Sequence, residues 1–463
     1  MSIPCPPPIR PGSPGGLTSV FGRVVQPLLR RWRGDVKDRY VAHYERFFQC
    51  PREVLLARQL HDLRRMLIHA HDTCPFYRER FRQAGFDPRK ARLPEGLSGV
   101  PSLARIDIVE RYEEMVSSRY DRSRLETRKT GGTVNVPIPF YQDREAVMRK
   151  EALTTVIRRS MGWHPGMKQA WIWGAGQDKP AQERAPFQAL KEDAIIRHVE
   201  RVLDIDAGSF SSEDADLQIA ALEAFEPDVL QGYPISTDLI AQRLLERGKR
   251  ICVPLVILTA EPVLPAHRER IGAAMRAQVL SFYGSRENGW IAHDHPVSGE
   301  MLINTAGVFL ETHPDTGELY VTDLLNRGMP LIRYEIGDFA TLSAEPSRCG
   351  DPRPVLASID GRTADIVVLP SGRLVPGLIA DYRGLVLDPH GIVDVKMVQN
   401  EIGVMDVYYV PAKEFREENL RVYIERMDDI FYNELEWRLH PVDRLEPEAN
   451  GKVRCLISRV PRP

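Results

Sequence analysis

Residues 253–287 read VPLVILTAEPVLPAHRERIGAAMRAQVLSFYGSRE. Val253 to Leu258 is a short apolar run, which predicts a buried strand, and Ala266 to Met275 predicts the helix after it. Val279 and Leu280 open a second strand that is expected to end at Gly284, just beyond Tyr283. Strands alternating with helices build a layered α/β sheet, and open α/β sheets bind ligands beyond the carboxyl ends of their strands. Tyr283-Gly284-Ser285-Arg286-Glu287 therefore lies where a site is expected.

The chain changes character on either side. Leu56, Leu60, Leu63, Leu67 and Ala70 recur in steps of three and four, which predicts one face of a helix, and Pro75-Phe76-Tyr77 starts the next element. The amino-terminal region is thus expected to be mainly helical, and the α/β alternation begins near residue 130. After Asp360-Gly361-Arg362 the pattern predicts strands over Val393 to Val398, Val404 to Val410 and Leu420 to Ile424, with a helix over Asp429 to Leu439. The expected organisation is a loose tail over 1–16, a large α/β domain over 17–364 and a small α+β domain over 365–463.

Composition narrows the function classes. The 463 residues exceed one ordinary core, and no apolar run approaches the roughly 18 residues of a membrane span. A net charge of −2 argues against nucleic acid as a partner, because that affinity comes from clustered Lys and Arg. The six cysteines are scattered, with no spacing suited to zinc or a redox pair, which fits a reducing cytoplasm. The Pro- and Gly-rich start lacks the parts of a secretory signal. Val20 to Arg33 mixes apolar and basic residues; a helix docked on its own protein is expected over one resting on a membrane, since Pro27 interrupts the pattern. No pattern fixes the oligomeric state, and a homodimer is compatible with it.

Four segments carry chemistry. In Thr130-Gly131-Gly132-Thr133, two glycines let backbone N–H groups approach an anion and two hydroxyls add donors; an ordinary polar turn has the same composition. Without a following Gly-Lys-Ser/Thr it is not a Walker loop. Tyr283 to Glu287 offers a flat ring for a base, donors for a phosphate and a carboxylate for Mg²⁺. Met329 to Asp338 combines an expected strand with a carboxylate just beyond Gly337, suited to accept hydrogen bonds from a ribose diol. Gly451-Lys452 brings a late cation, catalytic only if a negative charge develops beside it. His293 and His295 alternate around Asp294 as metal ligands would, but with no third ligand nearby a polar loop is the expectation.

In this order the segments resemble the adenylate-forming superfamily of acyl-CoA synthetases, peptide-synthetase adenylation domains and luciferases. They are most similar to its phenylacetate–coenzyme A ligase branch. His71-Asp72-Thr73-Cys74-Pro75-Phe76-Tyr77 and Phe81 to Pro88 look like that branch's opening helices, so the resemblance runs from about residue 72 to the final lysine. It implies ATP and Mg²⁺ as cofactors, a small acid substrate, a thiol or amine acceptor with coenzyme A as the default, and a small mobile carboxyl-terminal domain.

The resemblance also implies roles for residues. Thr130, Gly131, Gly132 and Thr133 match the phosphate loop, and Glu261-Pro262 matches the adenine-flanking segment. Tyr283 would stack on adenine within the Gly284-Ser285 turn, Glu287 would hold Mg²⁺, Asp338 the ribose, and Arg362 would stand beside it. Asp365 matches the hinge and Lys452 the lysine that neutralises the α-phosphate. Trp173, Gly174 and Tyr233 match regions lining the acyl pocket, where aromatics suit a flat acid.

Three positions depart from the family pattern. Val134-Asn135 replaces a second Thr-Gly in the phosphate loop. Arg286 stands where a threonine usually touches the α-phosphate, and a guanidinium can serve there. Ala260 replaces a common glycine, a minor change if its backbone is ordinary. The expected activity is an ATP-dependent adenylation of an acid followed by transfer to a thiol. Alternatives are a specialised biosynthetic member that uses an amine, a carrier arm or an oxyanion such as nitrite, and a non-catalytic nucleotide binder.

Overall fold

The amino-terminal region is helical in the computed structural model, which describes residues 20–25, 37–129, 139–173, 201–207, 212–315, 317–360, 366–376, 392–411, 415–443, 445 and 456–461. Helices α1 (Lys37–Phe48), α2 (Arg52–Thr73) and α3 (Pro75–Gln83) come first, with Pro75 at the first turn of α3, where a missing N–H costs nothing. Leu63, Leu67 and Ala70 form the predicted buried stripe of α2. In its first turns the stripe is rotated by one residue: Leu55 and Gln59 are buried, Leu56 and Leu60 half-buried. The Gln59 amide donates to the Val308 carbonyl at 2.7 Å, a bond that a leucine cannot make.

Strands β1 (Glu126–Lys129) and β2 (Pro139–Gln142) pair antiparallel and lead into α4 (Arg144–Ser160). Asp143 caps α4 by accepting from the Ala146 N–H at 2.9 Å. There follow β3 (Gln169–Trp173), β4 (Val202–Asp206), α5 (Ser212–Phe225), β5 (Val229–Gly232), α6 (Pro234–Glu246), β6 (Leu255–Leu258), α7 (Pro265–Met275) and β7 (Gln278–Ser285). Every β6 residue is buried, as expected for a parallel strand covered on both faces. The next strands are β8 (Gly289–Asp294), β9 (Met301–Ile303), β10 (Val308–Thr312), β11 (Glu318–Asp323), β12 (Tyr334–Leu342) and β13 (Val355–Asp360).

These strands form one 11-stranded sheet in the order β10-β11-β12-β13-β9-β8-β7-β6-β5-β3-β4. The side from β4 to β7 is parallel, and the side from β7 outward is antiparallel. The change happens inside β7: Gln278–Ser281 pair with β6, Phe282–Ser285 with β8. β7 therefore does not stop at Gly284 but continues into a hairpin. The mixed layers match the α/β expectation, with the carboxyl ends of β3, β5 and β6 at one edge of the switch.

The remaining strands, β14 (Ile366–Val368), β15 (Leu374–Pro376), β16 (Ile392–Glu401), β17 (Val404–Pro411), β18 (Glu436–Pro441) and β19 (Leu456–Ser458), build separate sheets: a β14-β15 pair and a four-stranded β18-β17-β16-β19. Here the sequence expectation is corrected twice. Leu420–Ile424 lies in a helix, α8 (Glu417–Ile430), and the stretch predicted as helix holds only the end of α8 and, from Glu436 to Leu439, part of β18. The apolar residues Leu420, Ile424, Met427 and Ile430 fall at steps of three and four, and together they face the core; reading five residues alone hid that period. An ion pair from Arg373 to Asp214, 2.7 Å long, ties the β14-β15 turn to the first turn of α5.

Phe21–Val25 forms a π-helical turn docked on its own protein: Phe21 lies under the Arg201 guanidinium at 5.4 Å, and Gly22 abuts the Pro165 carbonyl. No helix among the described residues is long and apolar enough to cross a membrane.

Candidate active site

The β7–β8 turn shapes the Tyr283 motif. Ser285 Oγ accepts from the backbone N–H and the side-chain amide of Asn288, both at 3.1 Å, closing the turn from inside. A Cβ on Gly284 would stand 2.5 Å from the Gly289 carbonyl oxygen, so only glycine fits. Arg286 is half-buried at the tip, whereas Glu287 is 5% exposed. Its peptide carbonyl is held from below by the Gln142 amide at 3.3 Å and by the ammonium of Lys150.

Asp338 reaches the same place from β12. The strand starts only at Tyr334, so Met329 to Arg333 is not part of it, and Gly337-Asp338 lies within the strand rather than after it. Between the pairs Tyr320↔Glu335 and Glu318↔Phe339, β12 carries two more residues than β11, and Gly337 takes φ +83° there. Only glycine adopts that φ at no steric cost, and such a bulge re-aims its side chains. The outcome is a hydrogen bond from Tyr283 Oη to Asp338 Oδ2 at 2.6 Å. Since β8, β9 and β13 stand between β7 and β12, a flat sheet would separate the two strands by about 19 Å at 4.8 Å per step. The antiparallel half must curl to bring them together.

Arg333, adjacent in sequence, serves the scaffold. It is buried in the left-handed region at φ 52°, pairs with Glu311 at 3.2 Å, and its carbonyl accepts from the Leu103 N–H at 2.8 Å.

The segment after β6 corrects the expectation for Ala260. Its φ is +73°, a conformation in which a Cβ crowds the carbonyl, so alanine for glycine is not a minor change here. The strain turns Glu261 inward, where Oε2 accepts from the Ile235 N–H at the start of α6 at 3.0 Å. Glu261 and Pro262 keep some exposure as residues, yet the carboxyl itself is buried, and desolvation pushes its pKa up to about 7.

Trp173, the last residue of β3, and Tyr233, just after β5, pack with ring centroids 4.6 Å apart. Tyr233 is fully buried, and the half-buried Trp173 covers it. His293 is also fully buried: Arg353 lies 2.8 Å from its Nε2, and burial with that guanidinium holds its pKa down to about 3. Its neighbour Asp294 accepts from Ser281 and Arg268, and His295 Nδ1 accepts from Val297 and Ser298. No group of three metal-ligating side chains occurs among the described residues.

The structure thus brings Tyr283 and Asp338 into contact and places Gly284, Ser285, Arg286 and Glu287 in one turn. Thr130, Gly131, Gly132, Thr133, Gly174, Arg362, Asp365 and Lys452, together with Val134-Asn135, lie outside the described residues. Gln142 and Lys150, which hold the Glu287 carbonyl, escaped the sequence reading because nothing in a strand-end glutamine or a helical lysine marks a distant partner. Glu287 fits Mg²⁺: it offers a hard carboxylate oxygen, and Mg²⁺ takes one or two carboxylates and completes its shell with phosphate oxygens and water.

No protein-family model matches the chain. Phenylacetate-coenzyme A ligase of Thermus thermophilus is 25% identical over 350 residues, covering 70% of this chain and 74% of that protein. Protein CapK of Staphylococcus aureus is 23% identical over 448 residues, 94% of this chain and 97% of its own. Among solved structures, 2-hydroxyisobutyryl-CoA ligase in the postadenylation state superposes with a TM-score of 0.56 at 18% identity, covering 89% of this chain and 91% of that one. The chain is thus similar in sequence to phenylacetate-coenzyme A ligases and shares the fold of an acyl-CoA ligase.

Proposed function

We propose that the protein activates a small carboxylic acid as its acyl-adenylate and passes the acyl group to a thiol, with coenzyme A as the acceptor. The observation that carries this reading is the Tyr283–Asp338 contact, which joins a ring suited to a base with a carboxylate suited to a ribose diol.

The chain's residues divide the work. Tyr283 stacks on adenine, Asp338 accepts from the ribose hydroxyls, and the Thr130–Thr133 loop donates to the phosphates. Glu287 holds Mg²⁺, which when bound neutralises phosphate charge. A carboxylate oxygen of the acid attacks the α-phosphorus, the α–β bridging P–O bond breaks, and pyrophosphate leaves. Lys452 stabilises the charge that develops on the α-phosphate. The thiol, losing its proton, then attacks the acyl carbon, and AMP leaves with the electron pair of the broken C–O bond. Trp173, packed over the buried Tyr233, offers an aromatic side chain of the kind that suits a flat acid, which favours an aromatic substrate.

The reading is supported by the naming of relatives as phenylacetate-coenzyme A ligases. It is tested by pyrophosphate release from ATP with a panel of aromatic and aliphatic acids, together with mass spectrometry of the trapped AMP adduct. Acid-dependent release and an acyl-AMP mass are expected. Release driven only by an amine or by nitrite would replace the carboxylate reading, and no release with any of them would end it.

A further inference from the structure

One lysine that the mechanism does not use lies directly beneath the turn. Lys150 projects from α4, only 11% exposed, and its stem passes 3.7 Å from where a Cβ on Gly289 would stand. Its ammonium pairs with Asp323 Oδ2 at 2.6 Å and also donates to the peptide carbonyl of Glu287. Asp323, fully buried, cannot swing away, because its other oxygen accepts from the Leu325 N–H at 2.8 Å and the Asn326 N–H at 3.2 Å. Gln142 adds a second donor to the same carbonyl at 3.3 Å.

Two separate elements, β2 and α4, therefore donate to one peptide oxygen, and the end of β11 anchors the second donor. That oxygen belongs to the residue whose carboxylate holds the metal. We infer that Lys150, anchored on Asp323, is a positioning residue that fixes the Glu287 peptide and so the direction in which its carboxylate leaves the turn. This rests on the reading of Glu287 given under the proposed function. An ion pair serving stability alone would be complete with Asp323. The additional bond to the Glu287 carbonyl is charge-assisted, and an ionised donor holds an acceptor more firmly than a neutral one. Groups that orient metal ligands matter to affinity nearly as much as the ligands themselves.

The test measures Mn²⁺ binding directly, from the electron paramagnetic resonance signal of free Mn²⁺ in the presence of α,β-methylene-ATP, on full-length protein. Glu287→Gln, Lys150→Met and the double variant Lys150→Met/Asp323→Asn are compared with wild type. The double variant leaves no lone buried charge, which protects folding. Lys150→Met and the double variant are expected to weaken Mn²⁺ binding by roughly 10- to 100-fold, and the apparent KM for Mg²⁺ in pyrophosphate release should rise with them, while ATP affinity without metal stays unchanged. Folded variants with wild-type Mn²⁺ affinity overturn the inference, and so does failure of both to fold, which would assign the pair to stability. If Glu287→Gln itself leaves Mn²⁺ binding intact, it is the Glu287 reading that fails.

Discussion

The hydroxyl of Tyr283 donates to Asp338 Oδ2 across 2.6 Å, so two residues 55 positions apart in sequence share one hydrogen bond at the heart of the candidate site. The bond fixes the edge of the ring.

Asp338→Ala is expected to weaken ATP binding by about 1.5–3 kcal/mol, the range for a hydrogen bond to a charged group. That corresponds to roughly 10- to 150-fold in Kd by titration calorimetry. Tyr283→Phe keeps the ring and should lose much less. Equal ATP affinity in wild type and the alanine variant would remove Asp338 from the nucleotide site.

Lys452→Ala should depress adenylation by roughly 10²- to 10³-fold, the usual loss when one donor to a developing oxyanion is removed. ATP binding should be almost unchanged, because the charge that Lys452 meets appears only in the transition state. Unaltered pyrophosphate release would show that this lysine has no part in the chemistry.

Ala260→Gly should stabilise the fold by up to about 1.5 kcal/mol. It relieves a left-handed alanine, at about 1–2 kcal/mol, against the greater unfolded freedom of glycine, at about 0.5–1 kcal/mol. Urea unfolding measures the difference, and a net loss of stability would mean that Ala260 is not strained at φ +73°.

Glu261 predicts a pH dependence. Desolvation raises its folded-state pKa from 4.5 to about 7, so the folded protein binds this proton more tightly than the unfolded chain. Its contribution is therefore fully present below the unfolded value, is lost as pH rises from 4.5 through about 7, and is constant above that. The slope in this window is at most roughly 1.4 kcal/mol per pH unit. Glu261→Gln, whose amide oxygen can still accept from Ile235, should flatten the slope and be more stable than wild type at alkaline pH in denaturant titrations. A slope that survives the substitution belongs to another group.

The elements legible in the sequence are those whose signal is local. The β6–α7–β7 run, the start of α3 at Pro75 and the stripe on α2 follow from periodicity and from proline. The tail of the chain was less legible, because Leu420 to Ile424 suits a strand until Met427 and Ile430 reveal the helical step. At the site, the composition of Tyr283 to Glu287 announced a base and a carboxylate, but not that β7 continues into a hairpin. Lys150 gave no signal at all.

The sequence by itself determined the α/β layering, the place of the Tyr283 turn at the end of a parallel strand and the kinds of groups available there, because hydrophobic period and side-chain chemistry are properties of neighbouring residues. Only the tertiary structure decided that Asp338 meets Tyr283, that Glu261 turns inward and that Lys150 reaches the Glu287 peptide. Each of those contacts depends on how a sheet curls and where a helix lands on it, and long-range packing sets both.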